Sequence, residues 1–374
     1  MSPFSEKTVR DARVMVVGCG ALGNEVLKGL VLAGAGHLTL VDFDTVERSN
    51  LNRSVLFRPK DAAAGRRKVD AAAQRLLELN PCLDLTVICA DVACDVGLGH
   101  FRDADVVIGC VDSRWARYCI NRLCMRAGRP WVDGAINGLE GTARVFVPGR
   151  NCYACNLGPL GLEELRRRMP CSGVIRREER AGHVPTTAIA ASVIGAIQVQ
   201  EALKIIDPES LSDGRMSSLL GRMFHYDGAC LTARTADFEA YDDDCPVHEF
   251  WGPVRQRPLS VESSVAQTLE FLSEATGDGG AAFFLHDDCF VDFVEIKDSG
   301  ECVEVMLPGR KIESFVEGHE SLKGIPFSGL CQNEYRRIDA SFPYKDLSLR
   351  ALGIPSCDVL KTRAGTLTTY YQIG

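Results

Sequence analysis

The residues with the clearest chemical potential lie between Val41 and Asp70, in the stretch VDFDTVERSNLNRSVLFRPKDAAAGRRKVD. This stretch begins one strand length after a glycine loop, GCGALG. The loop alone is a weak signal, because many dinucleotide-binding proteins carry such a turn. The arginine and lysine downstream add positive charge that suits phosphate groups, so the combined pattern favours a nucleoside triphosphate over a redox dinucleotide.

The glycine loop lies between a predicted strand, VMVV, and a predicted helix that runs to about Leu32. Gly18 and Gly20 permit a tight turn and a close approach of phosphate, and Gly23 lets the helix pack on the strand. The amides at the start of the helix would face the bound anion. The alternative is a Rossmann protein that binds a redox cofactor.

Further polar residues follow other predicted strands. Asp42 ends the second strand, where a carboxylate normally binds ribose hydroxyls. Arg53 and Lys68 would neutralise phosphate charge, and Asp112, in the sequence GCVDS, would hold a magnesium ion. Each residue alone could be an ordinary surface ion. Together, around one glycine loop, they predict a magnesium–triphosphate site.

The elements that must position these residues alternate between short apolar strands and helical segments up to about Asn151. This alternation predicts an α/β fold with a largely parallel, Rossmann-like sheet, helices on both faces and the ligand at the carboxyl ends of the strands. The later strands are candidates for antiparallel pairing. Farther on, Thr187 caps a strong predicted helix, AIAASVIGAIQVQEALKII, whose interior Gly195 indicates close packing against a neighbour.

Composition limits the remaining possibilities. The chain has 374 residues and a formal net charge of −8, which argues against general nucleic-acid binding. We expect no membrane span, and the polar N-terminus does not resemble a secretory signal, so we predict a cytoplasmic protein. Most of the 16 cysteines are predicted to be small buried hydrophobic residues, among them Cys89, Cys110, Cys119 and Cys124.

Two other cysteine-containing segments have the spacing of a metal site. Cys152-x-x-Cys155 follows a predicted strand, and Cys245-Pro-Val-His248 lies far downstream. Two such pairs are typical of a structural, tetrahedral zinc site. The alternative is that Cys152 and Cys155 are a vestigial pair and that His248 is an ordinary surface residue.

Three segments, SNLNRSVLFRPKD, CVDSRWARYCIN and VDGAINGLEGTARVFVPG, resemble the adenylation domain of ubiquitin-activating enzymes. The wider group is the ThiF/MoeB superfamily, and the resemblance covers roughly Ala12 to Asp207. It implies that the C-terminal carboxylate of a modifier attacks the α-phosphate of ATP to give an acyl adenylate. The nucleotide-binding residues that it implies are Gly18, Gly20, Gly23, Asp42, Asp44, Asn50, Asn52, Arg53, Lys68, Asp112 and Ser113, with Asp112 also holding magnesium.

The resemblance also bears on the two cysteine segments and on the N-terminus. Family members usually carry two Cys-x-x-Cys pairs, whereas His248 would be the last zinc ligand here. Many begin with an extended arm whose arginine reaches a partner's ATP, and only about a dozen residues precede the first predicted strand. Arg10, Arg13 or another subunit could supply that arginine. We therefore expect a homodimer or a dimer with a related subunit.

The segment 156–184 lacks clear periodicity and is predicted to be a crossover loop over the active site. It contains Cys171, with arginines at 166–168, 176 and 177, and nearby cations favour a nucleophilic thiolate. In ubiquitin-activating enzymes a cysteine in the crossover segment takes the acyl group as a thioester. The family cysteine is closer to the following Pro-Thr-Thr, so the spacing departs from the pattern, and Cys171 could also be an incidental thiol.

Residues 1–255 are predicted to form the adenylation domain and residues 256–374 a small α+β domain. The latter carries a helical segment, SVAQTLEFLSEA, a hairpin around Asp-Ser-Gly, and two final strand patterns. This order resembles the ubiquitin-like (β-grasp) domain that recruits the conjugating enzyme. A dimerisation or scaffold domain is the alternative.

The leading hypothesis is activation of a ubiquitin-like protein by adenylation, thioester formation on Cys171 and transfer to a conjugating enzyme. The runner-up is an adenylyltransferase for a sulfur-carrier protein in molybdopterin- or thiamine-type biosynthesis, for which Cys357 is not a convincing sulfur-transfer cysteine. A non-catalytic scaffold subunit and a dehydrogenase are further alternatives. The richness in alanine, glycine and arginine suggests a bacterial source, where a conjugation system in antiviral defence would fit the resemblance.

Overall fold

The computed structural model describes residues 3–167, 186–212, 214–238 and 241–374. Within these limits the chain forms two compact units, the first from 3–93, 100–158 and 186–250 and the second from 94–99, 159–167 and 251–374. The helices are α1 Glu6–Asp11, α2 Ala21–Leu32, α3 Pro59–Ala63, α4 Lys68–Leu79, α5 Leu98–Asp103, α6 Arg114–Ala127, α7 Gly158–Arg167, α8 Ala188–Ile206, α9 Val265–Thr276 and α10 Ile312–Gly318. The strands are β1 Arg13–Val17, β2 His37–Val41, β3 Asp84–Ile88, β4 Val106–Gly109, β5 Trp131–Asn137, β6 Glu140–Phe146, β7 Arg222–Asp227, β8 Thr232–Asp237, β9 Val254–Gln256, β10 Ala282–Phe284, β11 Phe290–Ile296, β12 Cys302–Pro308, β13 Leu330–Tyr335, β14 Arg337–Ile338, β15 Val359–Ala364 and β16 Leu367–Gln372.

The first unit is built on an eight-stranded sheet with the order β3-β2-β1-β4-β5-β6-β7-β8. The first five strands are parallel, and the pairs from β5 to β8 are antiparallel. The strand order reverses direction between β1 and β4, which is where parallel α/β sheets bind ligands. This arrangement confirms the predicted mainly parallel, Rossmann-like α/β fold, including the antiparallel later strands.

Helices α2 and α8 pack together against this sheet. Thr187 caps α8 as predicted, because its side chain accepts a hydrogen bond from the amide of Ala190. The close contact predicted at Gly195 is also present, since a Cβ there would lie 2.9 Å from Cβ of Glu25 on α2. Both helices contribute buried apolar side chains to one core with the sheet.

Two expectations from the sequence are wrong. The segment 156–184 is not structureless throughout, because α7 occupies Gly158–Arg167, where Leu162 and Leu165 have helical spacing. Cys89 is exposed rather than buried, because it follows β3, the edge strand of the sheet. The expectation of no membrane span stays a prediction. Among the described residues, α8 is long and apolar enough to cross a membrane, but 56% of its most apolar window is buried inside the protein, as in a core helix.

The second unit contains two further sheets. A five-stranded sheet has the order β14-β10-β15-β16-β9, and a three-stranded sheet has the order β12-β11-β13. Helix α9 shares an apolar core with the first of these, to which the helix contributes Val265 and Leu272 and the sheet contributes Phe283 and Leu360. A helix on a mixed sheet agrees with the α+β class predicted for the C-terminal part, and the hairpin predicted around Asp-Ser-Gly is the β11–β12 pair.

Candidate functional site

The glycine loop turns sharply between β1 and α2. Gly18 has φ +96°, a conformation that favours glycine, and a Cβ there would lie 2.5 Å from the carbonyl oxygen of Cys110. A Cβ on Gly23 would overlap the carbonyl oxygen of Gly18, so Gly23 is needed for the helix to start this close to the strand. Gly20, by contrast, faces open space at the N-terminus of α2, which no side chain caps. The loop therefore forms an open cradle lined by helix amides, which suits an anion.

Asp42, at the end of β2, is tied directly to this loop. Its carboxylate accepts hydrogen bonds from the amides of Cys19, at 2.7 Å, and Asp44, at 2.8 Å. Lys68, at the start of α4, donates to Oδ2 of Asp44 at 2.8 Å. Three residues that the sequence assigned to nucleotide binding are thus brought together at the carboxyl edge of the sheet.

The charges in this group influence one another. Burial raises the pKa of Asp42, and the nearby Lys68 ammonium opposes that rise. Burial would lower the pKa of Lys68, but the charges of Asp42, Asp44 and Asp112 outweigh burial, so the pKa of Lys68 is raised. Lys68 therefore remains a cation at neutral pH. Its interaction with Asp112 also places that carboxylate near the same edge.

Asn50, Asn52 and Arg53 lie in the loop between β2 and α3. The side chain of Asn50 accepts from the amide of Glu47, and Arg53 donates to the carbonyl of Ser49 and to the side chain of Asn52. The structure therefore places these three predicted phosphate ligands in one loop. It shows no direct contact between them and Lys68 or Asp112 among the described residues.

Asn24 connects that loop to the glycine cradle, and sequence reasoning missed its role. Its fully buried side chain donates to the carbonyls of Cys19 and Gly20 and accepts from the amide of Leu56 at 2.7 Å. A polar residue on an otherwise apolar helix face was the available signal, since a buried amide must find partners.

Asp112 and Ser113 follow β4 and precede α6. Ser113 caps α6 by accepting a hydrogen bond from the amide of Ala116 at 3.0 Å, so its side chain has a structural role here. Asp112 is exposed. An exposed carboxylate beside a cradle that suits anions is chemically suited to magnesium, which prefers oxygen ligands.

The four side chains predicted as zinc ligands lie together. The sulfur of Cys152 is 3.6 Å from that of Cys155 and 3.8 Å from that of Cys245, and the Cys155 sulfur is 3.3 Å from Nε2 of His248. All four donor atoms lie within 4.8 Å of one another. Metal–sulfur bonds of about 2.3 Å in a tetrahedron require sulfur separations of about 3.8 Å, so the cluster has the dimensions and the donor set of a Cys₃His zinc site.

The charge state of these thiols also favours a cation. A hydrogen bond from the Cys245 thiol lowers the pKa of Cys152 to about 5, against the effect of burial. The same contact raises the pKa of Cys245. Cys171 and the arginines at 168, 176 and 177 lie outside the described residues.

A sequence model of the ThiF family matches residues 3–247. The chain belongs to the ThiF family. This confirms the resemblance to the ThiF/MoeB superfamily of adenylating enzymes, and the match does not extend into residues 251–374.

Individual relatives fall into two groups. The SAMP-activating enzyme E1 of Haloferax volcanii is 32% identical over 249 residues, which are 66% of this chain and 84% of that protein. Ubiquitin-like modifier-activating enzyme 5 of Dictyostelium discoideum is 31% identical over 234 residues, 58% of this chain and 57% of that protein. Molybdopterin-synthase adenylyltransferase of Salmonella typhimurium is 34% identical over 205 residues, 54% of this chain and 75% of that protein. Among solved structures, E. coli MccB with succinimide has a similar fold, with a TM-score of 0.52 and 21% identity over 65% of this chain and 67% of that one.

Proposed function

We propose that this ThiF-family protein uses ATP to activate a ubiquitin-like protein and then carries it as a thioester on Cys171. The observation that carries the adenylation step is the group at the carboxyl edge of the sheet. Asp42, Asp44 and Lys68 lie around an open glycine cradle, with Asp112 within electrostatic range of Lys68. A dehydrogenase needs the ribose carboxylate but not this lysine and second carboxylate.

The first step joins the modifier to AMP. A carboxylate oxygen of the modifier forms a bond to the α-phosphorus of ATP, and pyrophosphate leaves with the electrons of the broken phosphorus–oxygen bond. No side-chain nucleophile is required, so positioning and charge stabilisation supply the catalysis. Asp42 would bind the ribose, Lys68 and Arg53 would stabilise phosphate charge, and Asp112 would hold magnesium, which neutralises the triphosphate.

The second step transfers the acyl group. The Cys171 thiolate would attack the acyl carbon, and AMP would leave as the sulfur–carbon bond forms. We further propose that residues 256–374 present the thioester to a conjugating enzyme, and that the protein acts as a dimer in the cytoplasm. The α+β fold of the second unit and the names of the activating-enzyme relatives support the role in conjugation.

Adenylation of a sulfur-carrier protein is the second candidate. It is favoured by the similarity to molybdopterin-synthase adenylyltransferase, which is 34% identical over 205 residues, against 32% over 249 residues for the SAMP-activating enzyme. Both functions use the same adenylate, so the fate of the acyl group separates them. A thioester on Cys171 supports modifier conjugation.

The test uses recombinant ubiquitin-like and sulfur-carrier proteins from the same genome. We expect ATP–pyrophosphate exchange with one of them and a thiol-sensitive adduct of the wild type. Arg53→Ala or Asp112→Ala should lower exchange by about 100-fold, because charge stabilisation of the transition state is lost. Cys171→Ala should retain exchange and lose the adduct, whereas Cys82→Ala, at an exposed cysteine among the described residues, should retain both.

The outcomes separate the parts of the proposal. Undiminished exchange in Arg53→Ala and Asp112→Ala would refute the ATP site. Exchange without any thiol-sensitive adduct would refute the thioester step and leave the sulfur-carrier function as the better account.

A further inference from the structure

The first unit contains a buried ion network next to the main chain that carries Asp112. Asp133 on β5 is fully buried, and its Oδ1 accepts from Nε of Arg117 at 3.0 Å. Its Oδ2 accepts from Nε and Nη2 of Arg144, at 3.1 and 2.6 Å. Arg144 is the direct partner of Asp133 across the β5–β6 ladder. Because a buried carboxylate is tolerated only when it is paired and hydrogen-bonded, Asp133 and the two arginines fix one another.

Arg117 makes a second set of contacts that Arg144 does not make. Its Nη2 donates to the carbonyl oxygen of Val111 at 2.6 Å and to that of Gly134 at 3.1 Å. Val111 directly precedes Asp112, the predicted magnesium ligand. Arg117 therefore connects the buried carboxylate of Asp133 to the main chain that carries the exposed carboxylate of Asp112.

The same stretch of main chain is held from the opposite side by the glycine loop. The amide of Cys110 donates to the carbonyl of Val17 at 2.7 Å, and the carbonyl of Cys110 lies against Gly18. Beyond Val111 this support ends, and packing cannot orient Asp112 because its side chain is exposed. Arg117 is thus the side chain placed to fix the strand end from which Asp112 projects.

We propose that Arg117, held in place by Asp133, is a positioning residue that orients Asp112 toward the magnesium ion of bound ATP. This inference rests on the proposed function and deepens it. The planar guanidinium presents several donors in a fixed fork, so it serves Asp133 and Val111 at once. A lysine keeps the charge but has no such fork, and it would release the Val111 carbonyl.

The test measures ATP binding by calorimetric titration, with magnesium and with EDTA, for the wild type, Arg117→Lys, Arg117→Gln and Asp133→Asn. Magnesium should tighten ATP binding by the wild type. We expect Arg117→Lys and Arg117→Gln to lose about 10-fold or more of that gain, the usual effect of removing a residue that orients a metal ligand. Asp133→Asn loosens Arg117 without removing it and should lose part of the gain. Binding in EDTA should stay at the wild-type level.

Arg144→Lys is the matched control. It weakens the same Asp133 carboxylate, but among the described residues Arg144 has no hydrogen bond to Val111, so the magnesium-dependent gain should remain. On an Asp112→Asn background, Arg117→Lys should cause no further loss, because both changes remove one interaction.

Two results would overturn the inference while leaving the ATP site intact. One is a full magnesium-dependent gain in the Arg117 variants. The other is an equal loss in Arg144→Lys, which would indicate a merely structural network. If the wild type bound no ATP under either condition, the proposed function would fail and this inference with it.

Discussion

At the scale of single residues, the balance between Asp42 and Lys68 is the most informative feature. Burial pushes the pKa of Asp42 upward, and Lys68 counteracts it. A carboxylate that binds ribose hydroxyls must be ionised to accept their hydrogen bonds fully. ATP binding should therefore weaken as the pH falls toward the pKa of Asp42, and this acid limb should start at a higher pH than for an ordinary aspartate.

Replacing Lys68 by methionine should move the acid limb of ATP binding to still higher pH. The sign follows from the causes. Removing Lys68 removes the largest effect that lowers the pKa of Asp42, and only the hydrogen bonds from the amides of Cys19 and Asp44 would still oppose burial. The measurement is the dissociation constant of ATP as a function of pH. Affinity will also drop overall, so the midpoint of the pH profile is the decisive quantity. Lys60→Met, at an exposed lysine of α3, should leave the midpoint unchanged. An unmoved midpoint in Lys68→Met would contradict the coupling.

The sequence predicted some of these residues better than others. Asp42, Lys68 and Asp112 could be assigned because residues that follow parallel strands meet at one edge of the sheet. Asn24 and Asp133 could not be assigned, because their roles depend on which buried groups face them after folding. An aspartate inside the apolar strand PWVDGA must have partners if it is buried, but the neighbouring sequence does not show which residues they are.

At the scale of elements, α8 shows how a largely apolar helix is fixed in position by buried polar groups. Gln198 donates to the carbonyls of Gly109, at 2.9 Å, and Val132, at 3.3 Å. One turn farther on, Glu201 pairs with Lys204 at 2.5 Å and accepts from the amide of Leu219. These contacts hold one side of the helix in the core of the first unit. They explain why a helix that is apolar enough to cross a membrane is instead packed inside the protein.

Glu201→Gln should therefore destabilise the protein by about 3 kcal/mol, because it leaves the buried Lys204 ammonium without its carboxylate. Chemical denaturation of the full chain measures the free energy of unfolding. Gln200→Ala, at the exposed neighbouring position, should change it by no more than about 0.5 kcal/mol. Replacing Glu201 and Lys204 together by methionine should recover much of the loss. If Glu201→Gln were as mild as Gln200→Ala, the ion pair would have no structural role.

At this scale the sequence predicted helices and strands that have a clear local period, including α2, α4, α8 and α9. It did not predict the β7–β8 hairpin or helix α7. Strand β8 is exposed along its whole length, so it lacks the apolar alternation by which strands are recognised.

For the whole molecule, long-range pairing is what the sequence could not predict. Strand β9, at Val254–Gln256, pairs in parallel with β16, at Leu367–Gln372. More than a hundred residues separate these strands, and no local pattern links them. The second unit also divides into two sheets. The alternation of apolar and polar residues in a strand does not determine which other strand it pairs with, so this division could not be predicted either.

The Cys/His cluster is the strongest long-range link that the sequence did predict, because it joins Cys152 and Cys155 to residues 93 positions farther along the chain. We expect about one zinc ion per chain by elemental analysis. Closing a loop of this size should contribute about 4 kcal/mol to the free energy of unfolding. Cys245→Ser should lose the metal and this stabilisation, and a strong chelator should have the same effect on the wild type.

His248→Cys should keep the metal, since four thiolates are also a zinc ligand set. Cys230→Ser, at an exposed cysteine outside the cluster, serves as the control. A metal-free wild type whose unfolding is unaffected by Cys245→Ser would show that the four side chains meet without binding zinc.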